Sequence, residues 1–264
     1  MLCASHALLS QSVHTLIGSR AQGLGYASSS LSDEWSVFNN IAGLAKTDQL
    51  AAGFTYEVHP QLKAFNRMAA VVVSPVRSGA TGFGVYRFGD DLYNEQILTA
   101  AYSNTFGLAS LGVSVRYIQY HADGFGTKGL FSLGFGGIAT LTPQLSVGAH
   151  IINLTQPEIS ASEKERLPTV LLAGVAFTPS TKVLVTTEIE KDLEYDFTWK
   201  TGLEYTPLKK FSVRTGFNLR PDAGFFGFGF KPARFSLDYA FHYQPGFGSR
   251  HQATVVYHLK RKTK

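Results

Sequence analysis

One cysteine, Cys3, is all that the 264 residues contain. A single thiol excludes a disulfide framework and any cysteine-based zinc site within the chain. Charge is scarce as well: Asp, Glu, Lys and Arg make up 16% of the residues, against about 25% in a typical soluble domain. No window approaches the roughly eighteen apolar residues of a membrane helix, which removes one of the two ways of crossing a bilayer and leaves the closed β-barrel. Catalytic patterns are missing too. The histidines never fall at metal-ligand spacing, no serine stands in GxSxG, and there is no HExxH, P-loop or dinucleotide fingerprint. The expectation is therefore no catalytic residue, no metal and no cofactor. Gly134-Phe135-Gly136-Gly137 looks like a phosphate loop only superficially, because it lies inside a predicted strand. The formal charge of +5 owes part of its excess to Lys260, Arg261, Lys262 and Lys264. The body without them is nearly balanced and gives no case for nucleic acid.

In place of charge the chain has 26 Gly, 20 Phe and 12 Tyr. From Leu50 onwards their arrangement has period two. Phe211, Val213, Phe217 and Leu219 share one face, with Ser212, Arg214, Gly216 and Asn218 on the other. The split recurs in Leu111, Val113, Val115 and Tyr117 against Gly112, Ser114 and Arg116, and in Ala253, Val255, Tyr257 and Leu259 against Thr254 and His258. One face is large and greasy, the other small, polar or ionised. Such strands number about fourteen, each of about eight to twelve residues, a length suited to tilted strands in hydrocarbon. A soluble sandwich would need charged outer faces, and a closed soluble barrel of this size would have a lumen too wide for side chains to fill. Turned outward, the greasy face meets lipid. The predicted fold is an all-β, transmembrane, antiparallel up-and-down barrel in contact with outer-membrane lipid.

Residues 1–12 resemble the end of a signal peptide, 13–48 form a plug segment, 49–259 the barrel and 260–264 a basic tail. An even strand number puts both termini on one side, with the turns at Pro75, Pro143, Pro179, Pro207 and Pro232. In a bacterial outer membrane that side is the periplasm.

Gly18 to Ala45 is the one stretch that does not read as strand. Ser32 or Asp33 can cap a helix whose apolar residues Leu31, Trp35, Phe38, Ala42 and Ala45 recur at three- and four-residue steps. Asn39, Asn40 and Gly43 limit it to two or three turns. If the strands give their greasy face to lipid, the lumen is where Trp35 and Phe38 can be buried. Gly18, Gly23 and Gly25 then mark places where the backbone runs close to the wall, and Arg20 and Leu44 belong to the same plug.

Lumenal charges are expected in two groups. Glu188, Glu190, Asp192, Glu194 and Asp196 fall at successive even positions across one hairpin, as an acidic patch near the outer mouth. Lower down, Arg116, Lys200, Glu204, Arg214 and Asp238 are placed to pair across the lumen or to bind the inserted segment. On the external loops Leu92, Tyr93, Phe125 and Phe247 are large apolar side chains among polar neighbours, candidates for a girdle or for a protein partner.

Ile17-Gly18-Ser19-Arg20-Ala21, Gly23-Leu24-Gly25, Ser32-Asp33 and Phe38-Asn39-Asn40-Ile41-Ala42-Gly43-Leu44 resemble the amino-terminal segment of the PorV/PorQ family of Bacteroidota outer-membrane proteins, relatives of the FadL family. The resemblance implies a barrel with its amino-terminal segment folded inside. PorV-like members are accessory subunits of type IX secretion, whereas FadL-like members pass hydrophobic molecules through a lateral opening. Compact external loops favour the first: a non-catalytic subunit of a larger secretion or assembly complex, partnered by a larger outer-membrane β-barrel. The alternative is a FadL-like channel for small hydrophobic molecules.

Overall fold

A computed structural model describes residues 15–160, 165–192 and 196–259. Segment 1–12, the basic tail 260–264 and Glu194 lie outside them. The barrel strands are β1 (Leu50–Val58), β2 (Arg67–Val76), β3 (Gly79–Gly89), β4 (Tyr93–Phe106), β5 (Ala109–Ala122), β6 (Gly126–Thr142) and β7 (Leu145–Ile152). They continue with β10 (Val170–Ser180), β11 (Val183–Asp192), β12 (Thr198–Leu208), β13 (Phe211–Leu219), β14 (Ala223–Phe230), β15 (Phe235–Gln244) and β16 (Gly248–Leu259). Between β7 and β10, the short strands β8 (Glu158–Ser160) and β9 (Glu165–Arg166) form a separate hairpin.

Each barrel strand pairs antiparallel with its neighbours in the chain, and β1 pairs with β16 from Leu50↔Leu259 to Val58↔His251, so the sheet closes on itself. Closure leaves no edge for hydrocarbon to desolvate. The alternation read from the sequence sets which face is which. Phe54, Phe83, Val85, Leu98, Val115, Phe131, Ile189, Trp199, Phe217 and Phe226 stand exposed on the outside. An apolar surface wrapped around the whole wall far exceeds the patches that a water-soluble monomer tolerates. It is solvated by acyl chains.

Three prolines expected in turns lie instead within strand ends. Pro75 falls in β2, Pro179 in β10 and Pro207 in β12. The ladder slips beside two of them, between Phe177 and Ser180 and between Tyr205 and Leu208. A residue that cannot donate to the ladder is tolerated where the ladder is already irregular.

The amino-terminal segment fills the lumen. The helix expected from Ser32 or Asp33 onwards is instead two 3-10 segments, Glu34–Val37 and Ile41–Lys46, and a short helix that was not expected, α1 (Ser19–Gly23), precedes them. Asp33 caps the first, accepting from Trp35 N–H, and Asn40 caps the second, accepting from Ala42 N–H. Asn39 and Asn40 therefore end one turn and begin the next, as their low helix propensity allows.

The lumen is chemically uneven. Along β1 to β5 the inward face carries an apolar cluster beside a few buried polar groups: Ala51, Val71, Val73, Ala80, Tyr86, Ile97 and Ile118 pack on Ile17, Trp35, Val37, Phe38, Ile41 and Leu44 of the plug. Each buried Val, Leu, Ile or Phe among them contributes about 1.5–3 kcal/mol. Along β11 to β15 it is ionised, with Glu188, Lys200, Glu204, Arg214 and Asp238 turned inward.

Candidate functional site

The seam between plug and wall is where the charged and glycine-rich residues of the sequence converge. Glycines supply its closest contacts. Gly112 faces Gly136, Gly148 faces Gly174 and Gly202 faces Gly216 across neighbouring strands. A Cβ on them would run into Ile41, Asn40, Ser29, Leu24 or Gly25 of the plug. Within the plug, Gly23 faces Arg214 and Gly227 and Gly25 faces Asn218 and Thr201, whereas Gly18 faces Trp35 and Gly43 faces Ser36 and Leu31. Gly18 and Gly43 thus serve the plug's own packing.

Three ionic anchors hold the plug. In the first, Arg20 donates from Nε and Nη2 to Glu204, both at 3.1 Å, and from Nη1 to Asp33 at 3.3 Å. Glu204 also receives Arg214, which in turn donates to Asp238 at 2.6 Å. The Glu204 carboxylate keeps the Arg20 guanidinium above its ordinary range, so the bridge is charged at any physiological pH.

In the second anchor, Glu188 Oε2 accepts the backbone N–H of Ser28 at 3.0 Å and of Ser29 at 2.7 Å, while Oε1 accepts from Lys200 at 2.9 Å. Lys200 also reaches Glu190. The expected acidic patch is therefore divided: Glu188 and Glu190 are neutralised around Lys200, and Asp196 is exposed beyond the strand.

The third anchor was missed in the sequence. Gln22 and Tyr26 donate to Glu57 at 2.8 and 3.2 Å, and Arg67 grips the same carboxylate at 2.8 and 2.6 Å. Glu57 and Arg67 are directly opposed in the β1–β2 register. Opposite charges at facing inward positions were the available signal, hidden because both lie at the ends of their strands. Burial, with Glu57 adding to it and Arg67 opposing, holds the Tyr26 phenol above its usual range, so it remains a donor.

Amides complete the attachment. Asn39 clasps both backbone groups of Ile17 at 3.0 Å. Asn40 Nδ2 donates to Ser29 O within the plug and to Gly137 O and Ala149 O of the wall, at 3.3 and 3.2 Å. Arg116 stands apart from the ionic anchors, bonded to Thr15 Oγ1 and Phe38 O. The loop residues behave differently again. Phe125 is 93% exposed and Leu92 67%, Phe247 is exposed, and Tyr93 turns its hydroxyl to Glu95 at 2.8 Å.

On the lipid side of the wall, an apolar recess of about 650 Å³ lies between β5 and β12, bordered by Leu111, Ala149, Ala173, Ile189 and Trp199. Gly148 and Gly174 form part of its floor, and Ser29 packs on their inner side. Backbone alone separates recess from plug there. Among the described residues no group of three His, Cys, Asp or Glu is arranged to hold a metal.

No family model matches the sequence, and neither does any curated protein. Among solved structures, the monoaromatic hydrocarbon channel CymD superposes with a TM-score of 0.70, at 13% identity, over 95% of this chain and 99% of that one. The toluene transporter TodX of P. putida gives 0.72 at 12% identity over 96% and 100%. The barrel has the fold of the FadL-type channels. These matches overturn the PorV/PorQ resemblance and, with it, the role as a subunit of type IX secretion. The residues that carried it have a local physical explanation: Asn39 and Asn40 tie the plug to itself and to wall carbonyls, as Asn40 also caps a turn. Those are requirements of a plugged barrel, not of a secretion partner.

Proposed function

We propose that the chain is a non-catalytic outer-membrane channel for small hydrophobic molecules, with both termini in the periplasm. The observation that carries this reading is the pairing of an inserted, wall-anchored plug with a closed barrel that superposes over nearly its full length on CymD, a monoaromatic hydrocarbon channel, and TodX, a toluene transporter. The lumen supports it. Its β1 to β5 side carries a cluster of aliphatic and aromatic groups that a hydrophobic molecule wets better than water does, and the recess at Gly148 and Gly174 offers an apolar surface just outside the thinnest part of the wall. The plug fills the lumen and is held to the wall by its ionic anchors. Passage requires the plug to shift.

Uptake of radiolabelled toluene by cells whose outer membrane retains lipopolysaccharide tests the reading. Cells making the chain should take up toluene faster than cells making none, and the gain should be absent for a hydrophilic solute of similar mass. Equal toluene uptake with and without the chain would refute it.

A further inference from the structure

Four cations turned into the lumen meet carboxylates at short range. Arg20 meets Glu204 at 3.1 Å, Arg67 meets Glu57 at 2.6 Å, Lys200 meets Glu188 at 2.9 Å and Arg214 meets Asp238 at 2.6 Å. Arg116 is as deeply buried, 1% exposed, yet makes no ion pair among the described residues. Its Nη1 goes to the Thr15 hydroxyl at 3.1 Å and its Nη2 to the Phe38 carbonyl at 3.3 Å, both neutral, and its Nε–H has no partner. Residues 1–14, which lead into Thr15, contain no Asp or Glu to supply the missing charge.

The surroundings repeat the deficit. Thr99 on β4 and Ser132 on β6 lie directly opposite Arg116 in the register, and Ser114 is on the same face of β5. The hydroxyls of Thr99 and Ser114 are buried without partners. His150 contributes no donor, because its Nδ1–H is committed to the Asn39 carbonyl and its Nε2 then carries a lone pair. A guanidinium does not shed its proton to escape burial, and an uncompensated buried charge is strongly unfavourable. Among the described residues no carboxylate supplies the counter-charge, and a bound anion would.

We propose that Arg116, with the Ser114 and Thr99 hydroxyls, is a binding site for a monovalent anion, a halide or the carboxylate of a small acid, occupied when the Thr15 hydroxyl withdraws from the guanidinium. The site does not depend on the channel reading, and its test involves no transport.

Crystals of the full chain grown in HEPES and soaked in bromide should give an anomalous peak at hydrogen-bond distance from the Arg116 guanidinium, stronger in Thr15→Ala. Displacement of the peak by octanoate would assign the site to a carboxylate, and its persistence to a halide. In nonionic detergent the melting midpoint of the wild type should rise with bromide and saturate, as linkage requires, whereas Arg116→Met should show no saturable rise. The proposal is overturned if wild-type crystals at saturating bromide show no peak at Arg116. Identical bromide dependence in wild type and Arg116→Met would overturn it equally.

Discussion

Glu188 accepts the backbone N–H of Ser29 at 2.7 Å, across 159 residues of sequence. The same oxygen takes the N–H of Ser28, so one carboxylate satisfies two adjacent plug donors that the lumen would otherwise leave dry. Glu188→Ala leaves both donors unpaired and reduces the partners of Lys200 to Glu190. Breaking a buried charged contact of this kind costs about 3 kcal/mol. Guanidinium unfolding in detergent should show a loss of that order, and planar bilayers should show ion leakage absent from the wild type. A variant as stable and as silent as the wild type would mean that the plug is held without Glu188.

The glycine seam predicts a contrast between positions that look alike in sequence. A methyl group at Gly148 would meet Ser29 O and one at Gly216 would meet the backbone of Gly25, whereas at Gly224 nothing lies within 4 Å. Gly148→Ala and Gly216→Ala should displace the plug and raise its sensitivity to protease. Gly224→Ala should leave it unchanged. Limited proteolysis read at residues 15–48 checks this, and equal cutting in all three variants would remove the seam's role.

Much of this fold was legible because a membrane barrel writes its two faces into alternate residues. Phe211, Val213, Phe217 and Leu219 faced out as their period required, and Trp35 and Phe38 had nowhere to be buried but the lumen. The lumen itself was harder. Gly112 stood out only as a member of the small, polar face, while it and Gly136, Gly148 and Gly174 are positions where the plug touches backbone, a distinction that depends on what lies opposite. The charged partners were visible as residues but not as pairs. Glu204 and Arg214 meet through the β12–β13 register, whereas Arg20 reaches them from 184 residues away. Function was least legible, because Asn39 and Asn40 serve any plug that must cap its turns and bind a wall.

Stability should depend on pH through Glu34. Burial, then the neighbouring Asp33 carboxylate, holds the Glu34 carboxyl above its ordinary range, and His258, 3.5 Å away, offsets only part of that. The folded chain therefore binds the Glu34 proton more tightly than the unfolded chain does. This contribution is fully present below the ordinary value of about 4.3 and is lost as pH rises through the raised folded value. Glu34→Gln removes the titration, so its stability relative to wild type should improve as pH rises across that window. Guanidinium midpoints followed from about pH 4 to pH 7 decide the matter, and parallel curves would contradict it.

The two tryptophans separate the inside of the barrel from the outside. Trp35 is 3% exposed, packed between Gly18 and Gly53, and Trp199 is 50% exposed on the outer face with its indole N–H on Thr187 Oγ1 at 2.7 Å. If the outer face is solvated by lipid, brominated acyl chains must quench Trp199 and spare Trp35, whereas a soluble arrangement would expose Trp199 to water. Trp35→Phe and Trp199→Phe isolate each emission in proteoliposomes. The Trp35→Phe protein should be quenched strongly by brominated lipid and weakly by iodide, and the Trp199→Phe protein weakly by both. Strong iodide quenching of Trp199 would place that face in water and defeat the membrane assignment, because Trp199 shares the exposed outer face with Ile189, directly opposite it in the register, and with Phe217 and Phe226 farther round the wall.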